Sequence, residues 1–163
     1  TITQVSRMAI LDATDRRLLM FLQNHGNATA QDLGAALNLS PSQAGRRRQR
    51  LEEEGLISGY SARVDPGRVG LGVEALIAVH MSAHAPEIGR AFATLAQRRP
   101  EVVAAWTMTG EADYMLHVFC ADLGALNHLV HHVLLAQSGV ARVHSQIVMD
   151  RVKTGGALPV EFG

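Results

Sequence analysis

Four arginines crowd into five positions, Arg46, Arg47, Arg48 and Arg50, and the stretch from Ser40 to Arg50 contains no acid. Guanidinium groups grip phosphate oxygens and guanine edges in a two-pronged way, so a helix loaded like this suits nucleic acid. The opposing reading is a solvated face that pairs with Glu52, Glu53 and Glu54. What precedes the arginines favours DNA. Ser40-Pro41-Ser42-Gln43 offers a capping serine, a proline suited to the first helical position and a glutamine placed to return the cap. Asn38 tolerates the left-handed backbone of a tight helix–helix turn. Thr29 and Asp32 open an upstream helix whose Leu33, Ala36 and Leu37 form one apolar stripe. Two short helices joined by a tight turn, the second rich in arginine, make a helix-turn-helix able to enter a DNA major groove. Ser40, Ser42, Gln43, Arg46 and Arg47, in the first half of that helix, are the candidates for DNA contact. Arg50 either binds phosphate or braces the helix by an ion pair.

The other reactive residues are less organised. His128, His131 and His132 have i, i+3, i+4 spacing, compatible with metal ligation, but no cysteine or carboxylate beside them completes a set. A polar helix face is the simpler reading, and neither metal nor cofactor is expected. His80, His117 and His144 fall on three different strands and could share one sheet face, where they would respond near neutral pH. Cys120 is the single cysteine, which excludes an internal disulfide and suits a reducing compartment. It sits mid-strand in an apolar setting, as a buried structural thiol would. There is no glycine-rich phosphate loop and no nucleophile elbow, so no enzyme is expected.

The elements that position these residues follow from periodicity. A helix capped by Asp12, with Asp15 in its first turn and Leu18, Leu19 and Leu22 inward, precedes the motif. Gly55 ends the arginine helix. Leu56 and Ile57 then read as a short strand and Ser58-Gly59-Tyr60 as a turn, which makes the unit winged. This gives a winged helix-turn-helix domain at 8–60 and a linker at 61–72 containing the turn Asp65-Pro66-Gly67, with room for a short strand at 61–64.

A second domain follows at 73–154, and a C-terminal tail at 155–163. Strands are expected at 73–82, 102–109, 113–120 and 140–152, with a tight connection at Gly110-Glu111-Ala112. Helices are expected at 86–98, with Ile88, Phe92, Leu95 and Ala96 inward, and at 121–135, with Leu123, Leu126, Val130 and Leu134 on one side. The order βαββαβ is that of a ferredoxin-like sandwich of the α+β class, a four-stranded antiparallel sheet in order 4-1-3-2 with both helices on one face. The other face lacks a cover within the chain. A second copy of the sheet would supply it, so a homodimer is expected.

The totals agree with this. At 163 residues, 47% hydrophobic and 18% charged, the chain fits two small domains of ordinary globular composition. No apolar run approaches the length of a membrane span, and no leader pattern opens the chain, so a cytoplasmic protein is expected. The formal net charge is zero, but DNA binding requires a local basic face and not a basic total.

In order and spacing the residues resemble the leucine-responsive and asparagine-operon regulator family (Lrp/AsnC). Leu11-Asp-x-x-Asp15, Leu39-Ser40-Pro41, Arg47, Arg50-Leu51-Glu52 and Gly55-x-Ile57-x-Gly59-Tyr60 are similar to its DNA-binding domain. Pro100-Glu101-Val102, Thr109-Gly110, Asp113-Tyr114, Gly139-Val140 and Ile147-Val148-Met149 are similar to its effector-sensing domain. The resemblance implies a transcriptional regulator of double-stranded DNA, dimers linked through the sensing domains, octameric rings, and an amino acid or related metabolite bound between dimers. It implies an effector site around Gly110 and Asp113, with Asp113 taking an ammonium group and backbone N–H groups near Gly110 taking a carboxylate. Met108, with Trp106 nearby, and Ser145 and Gln146 are possible walls. A plain hairpin loop is the competing reading. One departure is Arg48, which stands on the face of Ala44 and Leu51 where the family usually has an apolar residue; it can lay its stem over the core and keep its charge in solvent. Another is Gly45, mid-helix. The alternatives are an architectural DNA binder that senses nothing and a small ferredoxin-like dimeric enzyme; the latter leaves the first third of the chain unexplained.

Overall fold

The computed structural model describes residues 11–82 and 85–160. The chain divides into two compact units: one runs up to Arg63 and resumes at Lys153, the other is Val64–Val152. The expected start at Met8 and the last three residues of the expected tail lie outside the described residues.

The first unit contains α1 (Ala13–Asn24), α2 (Ala30–Leu37) and α3 (Pro41–Glu53). Asp12, Thr29 and Ser40 each accept the backbone N–H three residues on, and Asp15, Asp32 and Gln43 reach back to the cap's own N–H. Such a cap is worth about 1 kcal/mol, because it satisfies helix N–H groups that have no partner within the helix. Asn38 adopts φ 57 and ψ 47, which lets the Leu39 N–H reach the Gly34 carbonyl at 2.9 Å. The turn is so close that a Cβ on Gly34 would stand 2.7 Å from the Leu39 carbonyl oxygen. Leu18, Leu33 and Leu51, one from each helix, are fully buried among Leu19, Leu22, Leu37 and Ala44.

The wing departs from expectation. No strand forms at Leu56 and Ile57, or at 61–64. Gly55 turns left-handed at φ 74, and the N–H groups of Leu56 and Ile57 both donate to the Leu51 carbonyl, at 2.9 and 3.1 Å. Their side chains pack on the three-helix core. Two apolar residues after a helix stop can be a strand or a hydrophobic cap, and here the amides serve the helix end. The segment after Lys153 lies along α1 instead. The Gln23 amide exchanges two hydrogen bonds with the Leu158 backbone, Arg16 donates to the Val160 carbonyl at 3.0 Å, and Val160 packs on the core.

The second unit contains β1 (Val73–Met81), α4 (Pro86–Arg98), β2 (Val102–Thr107), β3 (Tyr114–Cys120), α5 (Leu123–His128) and β4 (Val140–Ile147). The antiparallel sheet has the order β2-β3-β1-β4, the expected 4-1-3-2 read from the other edge. Ala75, Ile77, Val79, Leu116, Val118 and Cys120 pack with Phe92 and Ala96 of α4 and with the second helix. That helix differs from expectation. Regular α-helix ends at His128, and Leu129–Leu134 winds as a π-helix. Leu126, Val130 and Leu134 are buried as expected, the wider turn adds Leu129 and Val133 to the buried face, and Leu123, in the first turn of α5, is 60% exposed. β4 stops at Ile147, short of residue 152; in its register β1, which begins at Val73, offers no partner beyond Met149, and the Val148 N–H still donates to the Glu74 carbonyl.

The register sets Leu76, Ala78 and His80 on the opposite face, beside Met115, His117 and Phe119, Arg142, His144 and Gln146, and Trp106. His80, His117 and His144 thus share a face, but they do not form one cluster. His80 Nδ1 lies 2.8 Å from the Glu111 carbonyl, and His117 Nε2 lies 2.6 Å from Glu74. Burial pushes the Glu74 carboxyl up, but Arg151 and His117 outweigh it and hold it below the ordinary glutamate value.

Candidate nucleic-acid interface and effector loop

The arginines of α3 part into two groups. Arg47 Nη1 donates to Asp12 at 2.6 Å and to Asp15 at 2.7 Å, and Arg50 Nη2 donates to the second oxygen of Asp15 at 2.6 Å. Asp15 is only 2% exposed. The Asp15 backbone N–H, and then the Arg47 guanidinium, hold the Asp12 carboxyl below its ordinary value. Arg48 donates to Glu52 and to the Ala28 carbonyl, each at 2.9 Å, and its guanidinium carbon lies 4.6 Å from the centre of the Tyr60 ring. The Tyr60 hydroxyl completes the group by donating to Glu52 at 2.7 Å. Arg48 and Tyr60 together hold Glu52 low, while burial, then the bond to Glu52, pushes the Tyr60 hydroxyl up. Arg48 therefore covers the core with its stem and ends in a local network.

Arg46 is exposed and has no hydrogen-bond or ion-pair partner among the described residues, and the same holds for the side chain of Ser42. The two stand one turn apart, on one side of the helix. Ser40 and Gln43 are tied to each other: Gln43 Oε1 accepts from the Ser40 N–H at 3.0 Å and from its hydroxyl at 3.1 Å, which leaves the Gln43 amide N–H groups uncommitted. The basic helix is thus real, but Arg47 and Arg50, expected among the DNA contacts, are engaged inside the unit. The sequence predicts Asp12 as a cap and Asp15 in the first turn, without an arginine partner for either. The signal for more was a pair of acids three apart in a first turn and, on the helix that packs beside it, a pair of arginines three apart.

In the second unit, Gly110 adopts φ 123, and nothing stands within 4 Å of where its Cβ would be. Asp113 extends β3, with its N–H donating to the Val79 carbonyl at 3.0 Å. Its carboxylate accepts the Met81 N–H at 2.7 Å, where the β1–β4 register shifts. The Met108 N–H donates to the Asp113 carbonyl at 2.9 Å, and the Met108 side chain is exposed. Met108, Gly110 and Asp113 therefore lie together. Ser145 and Gln146 do not join them. They sit on β4, the opposite edge of the sheet from β2, three strand spacings or about 14 Å from the strand that leads to Met108 and two, or about 10 Å, from the strand that Asp113 extends. As neighbours on a strand they also point to opposite faces.

Among the described residues, no group of three His, Cys, Asp or Glu side chains is placed to hold a metal ion, and no helix is long and apolar enough to cross a membrane.

Comparison with known proteins covers both units. Residues 11–52 match the AsnC-type helix-turn-helix domain, and residues 74–158 match the Lrp/AsnC ligand binding domain. The DNA-binding transcriptional activator DecR of Escherichia coli is 33% identical over 152 residues, covering 93% of this chain and 100% of that protein. The regulator AldR of Mycolicibacterium smegmatis is 32% identical over 150 residues, covering 92% of this chain and 86% of that protein. A transcriptional regulator from Neisseria meningitidis, solved as its L-Met complex, superposes with a TM-score of 0.89 at 36% identity, covering 92% of this chain and 97% of that one.

Proposed function

The chain belongs to the Lrp/AsnC family of transcriptional regulators, and from that premise we propose that it binds operator DNA through α3 and responds to an amino acid through the loop at Gly110. The observation that carries the DNA half is the pair of uncommitted, exposed side chains Ser42 and Arg46, one turn apart on a capped helix. These two and the Gln43 amide meet base edges, Ser40 lies beside the phosphate backbone, and Arg47 and Arg50 brace the flank of the helix through Asp15. As a regulator the protein works by binding and catalyses no reaction.

For the effector, support comes from the Gly110 backbone, open to close approach, beside the Asp113 carboxylate and the exposed Met108. A zwitterion requires an anionic acceptor for its ammonium and N–H donors for its carboxylate, and this loop offers both. Ser145 and Gln146 of one chain cannot close that site, so they serve it from a neighbouring chain. The open sheet face makes a homodimer, and dimers meeting at their edges make a larger ring, an octamer by family resemblance. Effector at that contact shifts assembly and changes which operator spacings fit. Such a protein works in the cytoplasm.

A thermal-shift screen of the amino acids, begun with L-methionine, tests the effector half, since a ligand that binds only the folded state raises its melting temperature. Asp113→Ala should abolish the rise and leave DNA affinity intact. If the variant fails to fold, the Met81 hydrogen bond is the purpose of Asp113, and the loop is structural.

A further inference from the structure

We infer that Asp15 is the positioning group of the DNA-binding helix: it holds Arg47 and Arg50 away from the DNA and so fixes the direction in which Ser42 and Arg46 are presented. This rests on the DNA-binding reading above. Asp15 lies in the first turn of α1 and is buried, yet its contact as a returning cap, to the Asp12 N–H, is the long one at 3.4 Å. Its short contacts are the two guanidinium groups, at 2.7 Å on one oxygen and 2.6 Å on the other. Arg47 and Arg50 are three residues apart on α3, so one carboxylate grips the helix at two points along one flank, between the buried face of Ala44 and Leu51 and the side that carries Ser42 and Arg46. Rotating α3 about its axis, or sliding it by one residue, breaks both contacts. Moving either arginine to a phosphate would leave a buried carboxylate short of a countercharge, which is strongly unfavourable. Arg47 is thereby a positioning residue and not a reader of bases.

The test uses the full chain, with fluorescence anisotropy against two duplexes over a KCl series. One duplex is selected by the wild-type protein from a random library; the other has the same composition, shuffled. Asp15→Asn keeps the shape and a cap acceptor but removes the charge, which frees both guanidinium groups. The selected-over-shuffled affinity ratio should fall about tenfold or more, spread over several base pairs. The shuffled duplex should be bound more tightly, with a salt slope steeper by about one to two released ions. Arg46→Ala should do the reverse and flatten the slope by about one.

A role in stability alone would lower both affinities together and leave ratio and slope unchanged, and that result overturns the inference. So does Arg47→Gln relaxing the preference at one base pair only, the mark of direct reading. If Asp15→Asn is unfolded by circular dichroism, Arg47→Gln carries the test, since Arg50 still pairs Asp15. Broad loss of discrimination at unchanged slope supports the positioning role, and loss at a single position rejects it. A wild-type protein that binds neither duplex rejects DNA binding itself; discrimination retained by Asp15→Asn rejects only the positioning role.

Discussion

The helix-turn-helix unit and the sheet unit differ in how much of their chemistry one chain completes. In the first, the three leucines of the core, the three capping boxes and the Asp15–Arg47–Arg50 grip all close within a single copy. In the second, Gly110 and Asp113 sit at one end of a β-hairpin, Ser145 and Gln146 lie on the far edge strand, and Leu76 and Trp106 remain 36% and 49% exposed on the face away from the helices. The contrast teaches that the helix-turn-helix geometry is completed within one chain, whereas the residues expected at the effector loop are not brought together within one copy.

The largest expected effect breaks the contrast on the side of the sheet. Leu76→Asp places a charge in the middle of the open face, and sedimentation of the full chain should show the assembly dissociating while the helix-turn-helix unit stays folded. Persistence of the wild-type assembly would mean that the open face is not the contact between copies. Next comes Gly34→Ala, which forces a methyl against the Leu39 carbonyl and should destabilise the first unit by about 1–3 kcal/mol. The single tryptophan, Trp106, lies in the sheet. Its fluorescence melt should therefore stay where it is while the circular-dichroism melt moves to lower temperature; movement of both would show that the units unfold together.

Why one half was easier to read than the other follows from these residues. Ser40, Pro41, Gln43 and Asn38 act within a turn of where they stand, so their types alone located the helices and the left-handed turn. The βαββαβ order and strand order followed from alternation and the tight connections. Non-local requirements stayed hidden. Gly34 is needed only because another segment comes within contact distance. The burial of Leu129 and Val133 beside Val130 and Leu134 accompanies a π-helical turn that no pattern in Leu129–Leu134 announces. Leu56 and Ile57 are apolar for the core, and the same two residues would suit a strand. The pairing of Arg47 with Asp15 stayed hidden because the acid is 32 residues earlier in the chain.

A smaller effect sharpens the same comparison. An added Cβ on Gly45 would meet only Ala30 Cβ at 3.7 Å, an ordinary contact. Gly45→Ala should therefore stabilise α3 by about 0.5–1 kcal/mol, again visible in the circular-dichroism melt and not in Trp106 fluorescence. The smallest effect is that of acid. Asp12 and Glu52 are held below their ordinary values in the folded first unit. The stability they supply is complete above the usual carboxylate range, about pH 4, and is lost as pH falls below it through their depressed folded values. The melting temperature of the first unit should fall as pH drops below about 4, and Asp12→Asn should make that fall shallower. An equal slope in the variant would show that the Asp12–Arg47 pair contributes nothing.

The most direct test joins the two units: titration of the full chain against the selected duplex across KCl, with and without each amino acid that raises the melting temperature. If α3 binds DNA and the loop senses the ligand, affinity falls linearly in log–log with salt, and one amino acid shifts it by about 5–150-fold. Binding that ignores salt, or a DNA affinity that no amino acid changes, would contradict an amino-acid-responsive regulator.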